Sequence, residues 1–248
     1  VFAHLPPVLG TDGKKLSKRH GATFLSSFRE AGYLPEAILN FMALIGWSPG
    51  EGEEQEIFTM EELTRRFSLE RVNNAGGVFS YDKLKWMNGE YIRGLQADDL
   101  QARLTPFLAS AGLAVDDEKL RRITPHIQQR LELLPDAVPL VRFLFEERIE
   151  RDLSAMLKKG MDAAKAAEVC TKGAEALAAL PEFDAASIES ALRKLAEDLG
   201  LASGPVFLVV RIAVTGQKVT PPLFESIYAL GQEGAVARLR ETAELLAR

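Results

Sequence analysis

The stretch "VVRIAVTGQKVTPPLF", residues 209–224, shows the pattern that dominates this chain. Its apolar first half belongs to a helix predicted over Gly204–Val214, and a second helix is predicted over Pro221–Ala229. Between them, Gly216–Pro222 contains one glycine and two prolines. Such residues end one helix or open the next, because proline has no N–H to donate and fits the first turn. The stretch therefore predicts two helices joined by a short loop.

Helical patterns extend from this stretch over most of the chain. Proline or glycine is expected to break or kink them at Pro125, Pro139 and Gly160. The other helices predicted after residue 96 are Ala97–Ala111, Asp117–Arg130, Pro135–Glu147, Asp152–Ala179, Asp184–Leu199 and Gly231–Arg248.

The first part of the chain has a mixed pattern. Residues 1–9 alternate weakly, as in a strand, and short helical segments follow, one of them opened by a capping-box pair at Thr59 and Glu62. A charged cluster, "EERIERD" at residues 146–152, separates the later helices into two groups. We therefore expect a mainly α fold, with a small α+β region over residues 1–94 followed by all-helical segments at 95–150 and 151–248.

Composition limits the classes of protein that this chain could be. It has 248 residues, 47% of them hydrophobic, and a net charge of −5. The single cysteine, Cys170, excludes an intrachain disulfide and a zinc site built from cysteines, which favours the cytosol. No apolar run reaches the ~18 residues that a membrane span needs. Cys170, Trp47 and Trp86 are each predicted to be buried core residues.

A lysine-rich loop, "DGKKLSKRHGA", lies at residues 12–22. Ammonium groups in such a loop can surround a polyphosphate and stabilise charge that develops as a phosphoryl bond breaks. The order of glycine, lysine and serine is wrong for a Walker A loop. Taken alone, the segment is better explained as a solvated basic turn or a localisation-like patch.

The context of this loop resembles one family closely. "KLSKR" is similar to the signature loop of class I aminoacyl-tRNA synthetases, usually written KMSKS, in the form found in glutamyl- and glutaminyl-type enzymes. "VFAHLPPVLG" before it, and "FTMEELTRRFSLERVN" and "YDKLKWMNGEYIR" after it, match bacterial glutamyl-tRNA synthetases in order and spacing. The resemblance is strong over residues 1–94 and continues more loosely to the end of the chain.

The resemblance implies roles for the residues of the loop. Lys18 would stabilise the pyrophosphate leaving group during ATP-dependent activation of glutamate. Lys15 and Ser17 would support loop closure and phosphate contacts, and Leu16 and Arg19 complete the ATP-binding loop. Leu16 and Arg19 depart from KMSKS, and the KLSKR subgroup shares both changes.

The family's nucleotide-binding motif is not found in this sequence. None of the three histidines, His4, His20 and His126, fits a His-Ile-Gly-His-type motif. The resemblance therefore implies the C-terminal portion of a longer enzyme, inactive by itself. ATP with Mg²⁺ is expected in the full-length enzyme, with no cofactor bound to this portion and no metal site within it.

Two places are candidates for reading an anticodon, which requires basic groups for phosphates and planar or apolar groups for splayed bases. By resemblance, Arg130 would read the third anticodon base, which is C for glutamate and G for glutamine. Arg211, Thr220, Pro221 and Leu223 would contact the first two bases, since the family has an arginine nine residues before Thr-Pro-x-Leu. The competing explanations are a helix-end arginine that favours the helix dipole, and a proline-capped helix start beside a snorkelling arginine.

The predicted function follows from these features together. Residues 1–94 would hold the signature loop and the region that contacts the tRNA stem, and segments 95–150 and 151–248 would be two anticodon-binding subdomains. The chain is thus predicted to be the tRNA-binding half of a glutamate–tRNA ligase, cytoplasmic and monomeric, with tRNA(Glu) as partner. The alternatives are a helical protein-interaction domain with no RNA role, and a glutaminyl-type enzyme, which would typically end in β-barrels.

Overall fold

The computed structural model describes residues 2, 4–17, 19, 21, 24–50, 52–158 and 160–247. Helix makes up 63% of the chain, which confirms the predicted mainly α fold. Twelve α-helices occur among the described residues. In chain order they are α1 (Leu25–Glu30), α2 (Pro35–Gly46), α3 (Met60–Arg66), α4 (Tyr81–Gly94), α5 (Ala97–Ser110), α6 (Asp117–Ile127), α7 (Ala137–Val141), α8 (Ala163–Ala178), α9 (Ala185–Asp198), α10 (Ser203–Thr215), α11 (Leu223–Leu230) and α12 (Gln232–Leu246). None of the helices in the described part of the chain is both long and apolar enough to cross a membrane.

By its internal contacts the chain divides into two compact units. Unit 1 contains residues 1–104 and 128–137, and unit 2 contains residues 105–127 and 138–248. These units are defined by contacts alone, and the division into segments 1–94, 95–150 and 151–248 stays a prediction.

The core of unit 1 lies where α2 packs on α4. The predicted capping box opens α3: the Thr59 amide donates to Glu62 Oε2 at 2.7 Å, and the Glu62 amide donates to Thr59 Oγ1 at 3.1 Å. Aromatic and aliphatic side chains fill the core around these helices. The buried members of its main cluster are Phe28, Phe41, Phe79, Leu84 and Met87.

The β part of the predicted α+β region is reduced to isolated bridges. Among the described residues of unit 1, Leu9 pairs with Lys15 in an antiparallel bridge and with Val78 in a parallel one, and no continuous strand forms. Pro6 and Pro7 precede Leu9, and neither can donate an N–H to a ladder, which limits pairing by this segment. Trp47 and Val72 form a further isolated antiparallel bridge.

Unit 2 is a helical array in which α12 packs along α8, and α10 contacts α8, α9 and α12. Helix α11 packs against α6 and α9. Its core is made of fully buried aliphatic side chains from every one of these helices. Examples are Leu120, Val169, Leu192, Ile212, Ile227 and Leu239.

Three predicted helix boundaries differ from those observed. Pro125 lies inside α6 and does not end it. The predicted helix over Asp152–Ala179 begins only at Ala163, because Gly160 has a φ of +90° and Asp162 caps the helix by accepting from the Lys165 amide. The predicted helix over Pro135–Glu147 is broken, around Pro139, into the five-residue α7 and short 3₁₀ turns.

Packing explains why Pro125 does not break α6. A proline here removes one hydrogen bond, to the carbonyl of Arg121. The same helix buries Leu120, Ile123 and Ile127 completely. The free energy gained by burying three aliphatic side chains exceeds the loss of one helical bond.

Candidate nucleic-acid interface

The lysine loop turns tightly on glycine and a capping aspartate. The Gly10 amide donates to the Lys14 carbonyl at 2.7 Å, the Lys14 amide donates to Asp12 Oδ1 at 3.0 Å, and Gly13 has a φ of +74°. A left-handed backbone conformation of this kind favours glycine. The turn leaves Lys14 and Lys15 exposed at the surface of unit 1.

Leu16 anchors the loop to the core. Its amide donates to the Val8 carbonyl at 2.8 Å, and its half-buried side chain packs against the main core cluster of unit 1. Ser17 and Arg19 are exposed. Lys18, the predicted catalytic residue, lies outside the described residues, so its role stays a prediction.

Arg130 is the last residue of a 3₁₀ turn, Gln128–Arg130, that directly follows α6, and its side chain is exposed. Gln128 fixes this turn to the end of α4. Its Nε2 donates to the carbonyls of Ile92 at 2.9 Å and Leu95 at 2.8 Å. The Ile92 carbonyl also accepts from the Leu95 amide at 3.2 Å, so Gln128 adds side-chain donors where the helical hydrogen bonds of α4 end. Sequence reasoning missed Gln128, although "HIQQR" places it two residues before the arginine.

A fully buried asparagine holds the segment that follows Arg130. Asn88 Oδ1 accepts from the Leu34 amide at 2.7 Å, and Asn88 Nδ2 donates to the Glu132 carbonyl at 2.6 Å. One side chain thus satisfies a buried amide just before α2 and bonds a carbonyl within residues 128–137. Sequence reasoning gave Asn88 no role.

The second candidate site lies in unit 2, where the loop 216–222 joins α10 to α11. Arg211 Nη1 donates to Thr220 Oγ1 at 2.7 Å and approaches the Pro221 carbonyl at 3.4 Å. The Thr220 hydroxyl in turn donates to the Pro221 carbonyl at 2.7 Å. The structure therefore brings together Arg211, Thr220 and Pro221, which the sequence separates by nine and ten residues.

Burial within this site is uneven. Thr220 and Leu223 are 3% and 4% exposed, and Pro221 is also buried. Val219 is 79% exposed, and Lys218 and Pro222 are exposed beside it. The buried residues thus shape the loop, while Val219 and Pro222 supply its accessible apolar surface. Sequence reasoning did not single out Val219.

Two buried arginines hold the end of α10. Arg151 Nε donates to the Ala213 carbonyl at 2.9 Å, and Arg238 Nη1 donates to the Val214 carbonyl at 2.7 Å. Burial, reinforced by the nearby charge of Arg151, lowers the pKa of Arg238 to about 10. Sequence reasoning missed both arginines. Position 238, three residues after Ala235 and four before Thr242, lies on the buried face of α12, which indicates burial but not the carbonyls that Arg238 contacts.

Three residues outside the candidate sites were predicted to be buried, and two of them are. Trp47 is 3% exposed and Cys170 is fully buried, as predicted, and burial raises the pKa of the Cys170 thiol to about 12. The prediction for Trp86 was wrong, because it is 41% exposed. Helix α4 directs Leu84 and Met87 inward, and a residue between them falls on a different face.

The described residues give no support to a resident metal site. No group of three or more His, Cys, Asp or Glu side chains within them is arranged to hold a metal ion. The described part of the lysine loop does suit phosphate, because Lys14, Lys15 and Ser17 are all exposed and can offer ammonium and hydroxyl donors.

Known families match both parts of the chain. Residues 99–243 match the family described as "Anticodon binding domain", and residues 1–86 match "tRNA synthetases class I (E and Q), catalytic domain". The chain belongs to the anticodon-binding domain family, whose match covers more than half of its length.

Two relatives of this chain are described as glutamate–tRNA ligases. The chain is 40% identical to "Glutamate--tRNA ligase" of Dehalococcoides mccartyi (strain ATCC BAA-2100 / JCM 16839 / KCTC 5957 / BAV1), over 96% of this chain and 50% of that protein. It is 39% identical to the protein of the same description from Moorella thermoacetica, over 98% of this chain and 50% of that one. The chain spans about half the length of these curated relatives. The resemblance stated from the sequence is thereby confirmed.

Solved structures agree with this similarity. A crystal structure of a glutamate tRNA ligase from Elizabethkingia meningosepticum, in complex with its amino acid, superposes with a TM-score of 0.84 at 30% identity. The superposition covers 99% of this chain and 51% of the chain in that crystal structure. Glutamate-tRNA synthetase from Elizabethkingia anophelis gives a TM-score of 0.80 at 30% identity, over 98% and 51%.

Proposed function

We propose that this chain is the tRNA-binding half of a glutamate–tRNA ligase, which attaches glutamate to tRNA(Glu) in an ATP-dependent two-step reaction. The observation that carries the proposal is the Arg211–Thr220–Pro221 cluster, which lies within the part of the chain that matches the anticodon-binding domain family. Similarity to glutamate–tRNA ligases along nearly the whole chain supports it.

Arg130 is proposed to read the third anticodon base. Its guanidinium is exposed at the end of a turn that Gln128 fixes to α4. A guanidinium carries only donors, which match O2 and N3 of cytosine. Guanine places an N–H and an amino group on its corresponding edge, so an arginine there would favour glutamate anticodons over glutamine anticodons.

Arg211, Thr220, Pro221 and Leu223 are proposed to receive the first two anticodon bases. The hydrogen bonds from Arg211 to Thr220 and Pro221 hold the plane of its guanidinium in one orientation. A preset planar group favours stacking and edge contacts with unstacked bases, because less side-chain entropy is lost on binding. Leu223 supports this surface from the first turn of α11.

The signature loop is proposed to act with the rest of the enzyme. ATP, bound with Mg²⁺, supplies the phosphoryl bond whose cleavage activates glutamate. Lys15, Leu16, Ser17, Lys18 and Arg19 would form the ATP-binding loop, with Lys18 stabilising the pyrophosphate. We expect these 248 residues alone not to activate glutamate, and we propose a monomeric, cytoplasmic protein.

A test of the proposal is binding of this chain to tRNA(Glu) transcripts with C or G as the third anticodon base. We expect the C form to bind roughly tenfold more tightly, as one specific base contact allows, and binding to weaken as salt rises. Arg130→Gln should remove the preference. Arg240→Gln, the same change at an exposed position of α12, should keep it.

Two outcomes would contradict the proposal. Equal binding of tRNA(Glu) and of a random RNA of equal length would favour a protein-interaction domain. Equal aminoacylation of C-form and G-form tRNAs by the full-length enzyme would refute the role of Arg130. A glutaminyl-type enzyme is disfavoured because residues 99–243, where described, contain no strand beyond the single bridge of Lys158 and Met161.

A further inference from the structure

The C-terminal end of α10 is bonded to side chains from two other parts of unit 2. Arg238 reaches it from α12 and also donates, through Nη2, to the Glu146 carbonyl at 2.7 Å. Arg151 reaches it from the segment before α8 and pairs with Glu241 at 2.7 Å. We call Arg151 and Arg238 the α10 clamp. The clamp joins the last turn of α10 to residues 146–151.

The clamp is electrostatically unfavourable in itself. The Arg151 side chain is 3% exposed and Arg238 is 7% exposed, and the two charges repel each other. Burying two like charges is tolerated only when their donors are satisfied. Here backbone carbonyls provide that compensation, so the arrangement specifies one position for the end of α10.

The loop that follows α10 contacts residues 139–152. Gly216 has a φ of +75°, and a Cβ added there would lie 2.3 Å from the Glu150 carbonyl oxygen. Gln217 Nε2 donates to the Pro139 carbonyl at 3.1 Å. Lys218 pairs with Asp152 at 3.2 Å, but both side chains are more than half exposed, so this pair contributes little.

The second half of the loop is bonded back to α10 through Arg211. The loop is therefore held on residues 139–152 at one end and on α10 at the other, with Val219 exposed between them. Any rotation of the end of α10 would move Arg211 relative to Thr220. Such a displacement would disturb a preset recognition surface without removing any of its residues.

We propose that Arg238 and Arg151 are positioning residues for anticodon recognition, which fix the end of α10 so that the loop 216–222 and Arg211 are preset for RNA. The proposal rests on the proposed function of the Arg211 site. Neither arginine is required to touch the RNA.

The test compares Arg238→Lys with Arg240→Lys, a matched control at an exposed position two residues further along α12. Gln217→Ala is a second variant, which removes one loop contact without burying a new group. Each variant of the whole chain is examined by amide hydrogen exchange without RNA. Each is then titrated with tRNA(Glu) transcripts that carry the natural or a substituted first or second anticodon base.

The expected result is faster exchange at the amides of residues 216–220 in Arg238→Lys and Gln217→Ala, with circular dichroism unchanged. The preference for the natural first and second bases should fall roughly tenfold in Arg238→Lys, the range of one lost base contact, and less in Gln217→Ala. Arg240→Lys should match the wild type in both measurements. If Arg238→Lys fails to fold, Glu241→Gln decides the outcome, because it loosens the clamp at Arg151 by removing that residue's exposed ion-pair partner.

Unchanged exchange in the loop would overturn the proposal whatever the RNA data show. Faster exchange with a retained base preference would also overturn it, because the clamp would then be merely structural. If the wild-type chain itself shows no base preference, the proposed function fails first, and the exchange data still show whether the clamp orders the loop.

Discussion

Replacing Asn88 by alanine should destabilise unit 1 strongly. The substitution removes the acceptor of the buried Leu34 amide and the donor of a partly buried hydrogen bond to the Glu132 carbonyl. A buried polar group left unsatisfied costs about 1–3 kcal/mol and an ordinary hydrogen bond contributes about 0.5–1.5 kcal/mol, so the free energy of unfolding should fall by about 1.5–4.5 kcal/mol. With a urea dependence of ~1–3 kcal/mol per molar, the midpoint should fall by roughly 1–2 M.

Tryptophan fluorescence is the assay suited to this prediction. Both tryptophans of the chain, Trp47 and Trp86, lie in unit 1, so their emission reports that unit without a contribution from unit 2. Asn74→Ala, at an exposed position of the same unit, is the matched control and should leave the midpoint unchanged. A loss below about 1 kcal/mol for Asn88→Ala would show that water or a shifted backbone satisfies these groups, and the bonding scheme would be wrong.

Three further predictions use other features. Gly216→Ala should lower the thermal midpoint by the equivalent of about 2 kcal/mol or more, because φ is +75° and the added Cβ meets backbone, whereas Gly204→Ala in open space should leave it unchanged or raise it. Cys170, whose pKa burial raises to about 12, should react with a thiol reagent at pH 8 only as fast as unit 2 opens, so urea should accelerate labelling. Burial raises the pKa of Glu36, but hydrogen bonds and charge from Arg103 outweigh it and lower that pKa. The Glu36–Arg103 pair should therefore add to the free energy of unfolding above the ordinary glutamate pKa, and this contribution should be lost as pH falls through the lowered pKa of the folded state. Arg103→Met should thus lower the free energy of unfolding at pH 7 and leave it unchanged in acid.

The helices and the residues that pack them could be predicted from the sequence. Apolar periodicity and the Thr59–Glu62 pair locate helices because they depend on local spacing. The spacing of nine between Arg211 and Thr220 pointed to one site, and in the structure the two side chains do form a hydrogen bond. The roles proposed for these residues stay predictions.

The residues that hold the candidate sites in place could not be predicted. Gln128, Asn88 and Arg238 act on carbonyls or amides distant in sequence, and the partner of a polar side chain is set by tertiary structure. For Pro125 and Trp86 the sequence pattern led to a definite prediction that was wrong. A local preference for a helix break, or for burial of an aromatic ring, was overridden by the packing of α6 and by the face of α4 on which position 86 falls.

The interleaving of the two units along the chain bears on synthesis. The backbone passes between units after residues 104, 127 and 137, so unit 1 includes a segment made well after its first part. On the ribosome, the Asn88 side chain and the end of α4 must wait for Glu132 and Gln128 before these hydrogen bonds can form. The early part of the chain is therefore expected to emerge as a partly ordered intermediate, and a truncation after residue 104 should be a substrate for chaperones and proteases rather than an independent module.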